Sequence, residues 1–240
     1  MIGLNTTKLI KKLKTSKKIL AIIPARSGSK GVINKNIKKF NKKPLIYWSI
    51  NSALKSKFID KCFVSTDSIK ISSLAKKHGA DSSFLRPKNI STDKSLVSAA
   101  IIHTLHKLKN NYDIIILLQP TSPLRTTLDI DRAIELFIEK KLTTLVSITD
   151  LDYPHEWLLN KKKSNYINFI KKNISHNRQQ TKKYYKSNGA IFISTVKYFL
   201  KHKNFFGEKT YGYFMKKNNS IDIDSELDFK IAELIKKNNE

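Results

Sequence analysis

DIIILLQPTSPLR, residues 113–125, decides the fold. Its apolar run, Ile114 to Leu118, has no polar alternation, which describes a strand buried on both faces, as in a mainly parallel sheet covered by helices. The run stops at Gln119, turns through Pro120 and Pro123, and arrives at Arg125. Outward from it, ILAIIPA (19–25), KCFVSTD (61–67), SSFLRP (82–87) and TTLVSIT (143–149) repeat the strand-length apolar pattern. Between these runs lie PLIYWSINSALKSK, SIKISSLAKKHGA, SLVSAAIIHTLHKL and LDIDRAIELFIEKK, with apolar positions three and four apart. That spacing is helical, so strand and helix alternate along the chain.

The expected fold class is therefore α/β, a Rossmann-like, mainly parallel sheet with helices on both faces. The rhythm fails over residues 150–188, and GAIFIST then restores a strand. We divide the chain into a basic N-terminal extension (1–18), a main domain (19–149 and 189–240) and an excursion (150–188). The closing helix SELDFKIAELIKK has Ser225 as its expected N-cap. No internal repeat is visible.

The formal charge of +27 raises the possibility of a nucleic-acid partner. Lys is nevertheless spread through almost every segment, without the basic and aromatic interleaving of a base-stacking surface, so no specific nucleic-acid partner is expected. Of the 46 basic residues five are Arg, leaving 46 − 5 = 41 Lys. In so Lys-rich a chain an Arg marks a place where a planar fork grips phosphate or carboxylate. The single Cys62 excludes an intrachain disulfide and reads as a small core residue. No apolar stretch approaches the roughly 20 residues of a membrane span. A cytoplasmic protein without membrane insertion is expected.

Three segments carry chemistry. In ARSGSKGVINKN (25–36), Gly28 and Gly31 allow a tight turn that presents N–H groups to an anion, with Arg26, Lys30 and Lys35 adding positive charge. It matches neither standard glycine-rich phosphate pattern, and alone it fits an ordinary strand-to-helix turn equally well. In SIDIDSELD (220–228), Asp222 and Asp224 alternate with isoleucines, which puts both carboxylates on one face. Such a pair suits Mg²⁺ sharing its shell with phosphates, or two solvated acids at a strand edge. Gln119 and Arg125 follow a strand's carboxyl end, where ligands of open α/β sheets bind. Asp67 is expected as a helix N-cap, and His103 and His106 as structural or surface residues.

Taken together, IPARSGSKG with NKN, VSTDS, LRP, LLQPTSPLR, RQQ, NGAIFI, NFFG and IDIDSELD resemble, in order and approximate spacing, the CMP-sialic acid synthetases, or acylneuraminate cytidylyltransferases. The resemblance covers about residues 19–236. It implies that Ala25, Arg26, Ser29, Lys30, Lys35 and Asn36 form the nucleotide-binding loop, with Lys35 neutralising charge at the α-phosphate and Arg86 at the CTP site. It also implies that Gln119 and Arg125 face the acceptor sugar, and that Phe192, Phe205 and Phe206 form a pocket for its acylamino group, although buried core is an equally ordinary use of Phe192 and Phe205. Arg178, in an excursion that makes dimer contacts and caps substrate, would approach the sugar carboxylate. Asp222 and Asp224 would hold Mg²⁺, or Mn²⁺, and Lys35, Arg26 and Asp224 would carry catalysis.

The implied partners are CTP, a nine-carbon 2-keto sugar acid and a second copy of the chain. The implied reaction is in-line attack of the acid's anomeric hydroxyl on the α-phosphorus, with release of pyrophosphate. Val97 and Glu156 depart from residues that some members place near nucleotide and sugar, which leaves legionaminic and pseudaminic acids open as acceptors. Relatives acting on the eight-carbon acid of lipopolysaccharide lack LLQPTSPLR.

Overall fold

Strand β1 (Ile19–Pro24) shows how the sheet is covered on both sides: Leu20 and Ile22 enter one core cluster while Ile19, Ala21 and Ile23 enter another. The computed structural model describes residues 17–28, 31–109, 111–153, 157–161, 167–169 and 183–238. β1 is flanked by β4 (Lys61–Ser65) and β5 (Ile114–Leu117), both parallel to it. Then come β9 (Tyr185–Thr195), antiparallel to its two neighbours, β6 (Thr144–Asp150), and β10 (Tyr211–Phe214), parallel to β6. The order is β10-β6-β9-β5-β1-β4, so every strand but β9 points the same way. The short pairs β2 (Lys39–Phe40) with β3 (Lys43–Pro44), and β7 (Leu159–Lys161) with β8 (Ile167–Phe169), stand apart.

Helices α1 (Leu45–Leu54), α2 (Ile69–Lys77) and α4 (Thr127–Glu139) bury Ile46, Ile50, Ile71, Ile130, Ile134 and Phe137 against one face. On the other, α3 (Val97–Lys107) and α5 (Val196–His202) contribute Ile101, Leu105 and Phe199. The final helix, α6 (Glu226–Asn238), packs Phe229 and Ala232 with Phe40, Leu45 and Ile223 in a third cluster. The expected α/β sheet covered on both faces is thus present.

Several elements differ from the sequence reading. SSFLRP forms no strand: only Asp81 bridges Phe63, after which Phe84 stacks on Phe63 with ring centroids 4.5 Å apart. β10 escaped notice because its central Gly212 breaks the apolar pattern; it is needed because Ile148 Cδ1 would lie 2.8 Å from any Cβ there. β9 begins at Tyr185 rather than at Gly189, since residues 185–187 pair with 148–150 beyond a register shift. The irregular stretch is correspondingly shorter than 150–188 and contains the β7–β8 hairpin.

Candidate active site

The carboxyl ends of β1 and β5 open onto a cavity of about 510 Å³. Arg26, Lys35 and Arg86 line it together with Gln119, Asp222 and Asp224, so residues nearly 200 positions apart in sequence meet here.

The loop after β1 is held from several sides. Ala25, fully buried, donates its N–H to the Ser65 carbonyl at 2.9 Å and so supplies backbone rather than a side-chain contact. Both Asp67 carboxylate oxygens accept from Ser27, from its N–H at 2.9 Å and its hydroxyl at 2.7 Å. Asp67 was expected as a helix cap; Ser68 takes that place on α2, leaving Asp67 to brace the loop. Asn36, also buried, donates from Nδ2 to the Arg26 carbonyl at 2.9 Å. It anchors the residue whose guanidinium enters the cavity, where that guanidinium pairs with Asp93. Ser29 and Lys30 lie outside the described residues.

A turn of 3-10 helix at Lys35–Ile37 directs the Lys35 Nζ to the Ile223 carbonyl at 2.6 Å and to the Asp224 carboxylate at 3.5 Å. The loop and the acidic segment also touch at Gly31, where a Cβ would overlap the Asp224 carbonyl oxygen. That oxygen is backbone and cannot swing aside. Gly31→Ala should therefore displace Asp224 and lower turnover by up to ~10²-fold with little change in melting temperature, checked by steady-state kinetics beside thermal unfolding.

The acidic segment is pinned residue by residue. Ile223 is fully buried and donates its N–H to the Thr121 carbonyl at 2.8 Å. Asp228 accepts from the Asp224 N–H at 3.1 Å and from the Ser225 N–H at 2.8 Å, while Ser225 Oγ accepts from the Asp228 N–H at 3.2 Å, so Ser225 caps α6 as expected. Burial pushes the Asp222 carboxyl above its ordinary range and nearby Asp224 adds to this, against a hydrogen bond from Thr121. Asp222 Oδ1 is buried without a hydrogen-bond partner, whereas the Asp224 side chain is open to the cavity. A buried, unsatisfied carboxylate oxygen beside an exposed carboxylate fits Mg²⁺ that draws its other ligands from phosphates and water. Among the described residues no cluster of three or more His, Cys, Asp or Glu offers a metal site made of protein alone.

Gln119 and Asp222 meet across Gly189, whose φ of 72° favours glycine: a Cβ there would lie 2.9 Å from Gln119 Oε1 and 3.1 Å from Asp222 Oδ2. Arg86 is buried, its Nε donating to Ser91 Oγ at 3.0 Å; burial lowers its pKa, and nearby Asp67 partly offsets this.

Arg125 corrects the expectation of a sugar contact. It is buried, does not line the cavity, and donates to the carbonyls of Gln119 and Ala190 and to Ser49 Oγ. Phe192 and Phe205 are core residues, ring centroids 5.5 Å apart, with Phe206 half-exposed at their edge; the three form one aromatic cluster, and none of them lines the cavity. Arg178 and Glu156 lie outside the described residues. Sequence reasoning missed the roles of Asp67, Thr121 and Gly189, whose contacts depend on segments that only the fold brings together, and that of Asp228, whose contacts with Asp224 and Ser225 are local. The one available signal was Asp228, three residues after a Ser at a helix start, which is a capping-box spacing.

The chain is 38% identical over 216 residues to N-acylneuraminate cytidylyltransferase of Escherichia coli O18:K1:H7, a match covering 90% of this chain and 51% of that one, so it spans about half the length of that relative. It is 34% identical over 225 residues to CMP-N,N'-diacetyllegionaminic acid synthase of Legionella pneumophila, covering 90% of this chain and 95% of that one. Among solved structures, CMP:2-keto-3-deoxy-manno-octonic acid synthetase complexed with CTP superposes with a TM-score of 0.71 over 93% of this chain and 100% of that one, at 14% identity, a likeness of fold. Residues 20–239 match the cytidylyltransferase family, and with that match and these relatives the chain belongs to it.

Proposed function

We propose that the protein transfers CMP from CTP to the anomeric hydroxyl of a nine-carbon 2-keto sugar acid, N-acetylneuraminate first among them, and releases pyrophosphate. The observation that carries this reading is the convergence of Lys35 with Asp222 and Asp224 at a cavity that Arg26 and Arg86 also line. Three cations suit a triphosphate, and the carboxylate pair suits Mg²⁺, with Mn²⁺ as a substitute. When bound, the cation withdraws charge from the phosphates and favours ionisation of a hydroxyl beside it.

The chain's own residues supply the rest. Arg26 exchanges Asp93 for phosphate oxygens. Lys35, held by the Ile223 carbonyl, keeps its ammonium where charge develops on the α-phosphate. Gln119 offers a carboxamide to the acceptor next to Asp222, so the attacking hydroxyl and the α-phosphate are brought into line rather than activated by a histidine. The half-exposed Phe206, with Phe192 and Phe205 behind it, offers the acylamino group an apolar wall.

A second reading, a legionaminic or pseudaminic acid acceptor, is favoured by the Legionella relative, which matches over nearly its whole length. A pyrophosphate-release assay crossing the four NTPs with these acids decides. Turnover with CTP and N-acetylneuraminate supports the first reading, CTP with another acid alone supports the second, and a nucleotide other than CTP sinks both.

We further propose a cytoplasmic enzyme, since CTP is made and used there. Among the described residues no helix is long and apolar enough to cross a membrane. Residues 150–188 would serve a two-fold homodimer, with Tyr153, Trp157, Leu159 and Tyr185 all substantially exposed and available to an interface core. Arg178 then reaches the neighbouring subunit's sugar. Light scattering should give twice the chain mass, and mixing inactive Arg178→Ala with inactive Asp224→Asn should restore part of the activity, because one site of each hybrid has both residues intact. A fully active monomer, or mixtures that never complement, would refute the shared site.

A further inference from the structure

Arg125 brings a charge into the sheet where apolar packing is the rule. It is wholly buried, and burial pushes its pKa down to about 9, opposed by Asp129 from a distance. Its hydrogen-bond acceptors are the Gln119 carbonyl at 3.2 Å, the Ala190 carbonyl at 2.7 Å and Ser49 Oγ at 2.6 Å, and Ser49 Oγ in turn donates to the Gln119 carbonyl at 3.1 Å. None is a carboxylate. An apolar side chain of similar volume is often no less stable at such a place, so stability alone gives little reason for a guanidinium here.

The register of β5 and β9 gives the reason. Their pairing runs from Ile114 with Thr195 to Leu117 with Phe192. Two residues further in the same register, Gln119 stands opposite Ala190. One guanidinium nitrogen, Nη1, donates to both of these carbonyls, where an antiparallel ladder would otherwise close. The fork therefore ends the ladder at a fixed separation just where β5 delivers Gln119 and β9 delivers Gly189, the residue over which Gln119 and Asp222 meet.

We propose that Arg125 is a positioning residue: acting through the Gln119 and Ala190 carbonyls, it sets the spacing between the Gln119 carboxamide and Asp222, and with it the alignment of the acceptor acid against CTP. The proposal rests on the reading above that Gln119 receives the acceptor. The nucleotide loop follows β1, on the far side of β5 from β9, so the larger effect falls on the carboxamide that β5 carries rather than on the Arg26 and Lys35 that would meet CTP.

Wild-type turnover with CTP and an acid is measured first and judges that reading alone. Against it, Arg125→Met keeps the volume and removes the fork. The KM for the acid should rise at least ~10-fold while calorimetric CTP affinity stays within about twofold. Arg125→Lys, which keeps the charge but cannot hold two carbonyls and a hydroxyl in one plane, should show the same split. Should Arg125→Met fail to fold, Ser49→Ala, which removes one of the three acceptors, gives the split in smaller measure, about threefold. Amide exchange at residues 118–121 and 188–191 should quicken in each variant. An Arg125→Met enzyme with both constants unchanged, or variants that lose acid and CTP affinity equally, would overturn the proposal.

Discussion

Asp224→Asn should leave the fold intact and lower turnover by at least ~10³-fold, a loss of about 4 kcal/mol of transition-state stabilisation. The side chain is 82% exposed and makes no packing contribution, so the neutral isostere costs the core nothing. Its backbone stays fixed by Asp228 and Thr121 through neighbouring N–H groups. What changes is charge. Of the pair only Asp222 keeps a charge to offer, and burial already disfavours its ionised form. Mg²⁺ held as proposed by the pair and a triphosphate would lose one of its two anionic protein ligands. Steady-state kinetics over a Mg²⁺ titration, with circular dichroism as control, checks this: turnover near the parent's at saturating Mg²⁺ would remove Asp224 from the metal site.

Arg26→Lys keeps the charge and should still cost CTP turnover ~10²-fold. The guanidinium enters the cavity from a backbone that Asn36 and the braced Ser27 hold on either side, and it already pairs with a carboxylate there. A triphosphate must replace that carboxylate, and a planar fork does so with two parallel hydrogen bonds where an ammonium offers a point charge. The loss should appear in the KM for CTP as well as in kcat, since on the proposed reading Arg26 would meet phosphate in both ground and transition states. Kinetics equal to the parent's would mean that the scarcity of Arg in this chain is compositional.

The sheet was legible because its chemistry is local. IIILL and ILAIIP are apolar without alternation, and a strand buried on both faces has to be so. The four helices between the strands and the closing helix were equally plain from spacing, whereas α5, short and directly following β9, was not foreseen. What was not legible depends on register and on contact across the chain. SSFLRP has the composition of a strand, yet Phe84 is used to stack on Phe63, and the segment makes only one bridge. YGYF is a strand disguised by a glycine that Ile148 requires.

At the site, residue types announced themselves where charge was unusual: five Arg among 41 Lys, and two Asp set between Ile. Their roles did not always follow. Arg125 stands after a strand's carboxyl end as a ligand contact would, but it is buried and spends its donors on the Gln119 and Ala190 carbonyls and Ser49. The brace of Ser27 by Asp67, forty residues away, leaves no trace in either segment alone.

The most direct test of the central claim is a ³¹P NMR record of CTP, Mg²⁺ and N-acetylneuraminate with catalytic protein, in parallel with a sample lacking the acid. The account predicts a new phosphodiester resonance and free pyrophosphate rising together in equal amounts, with neither appearing when the acid is absent or when Asp224→Asn replaces the parent. Consumption of CTP without acid, release of orthophosphate in place of pyrophosphate, or full phosphodiester formation by Asp224→Asn would contradict it.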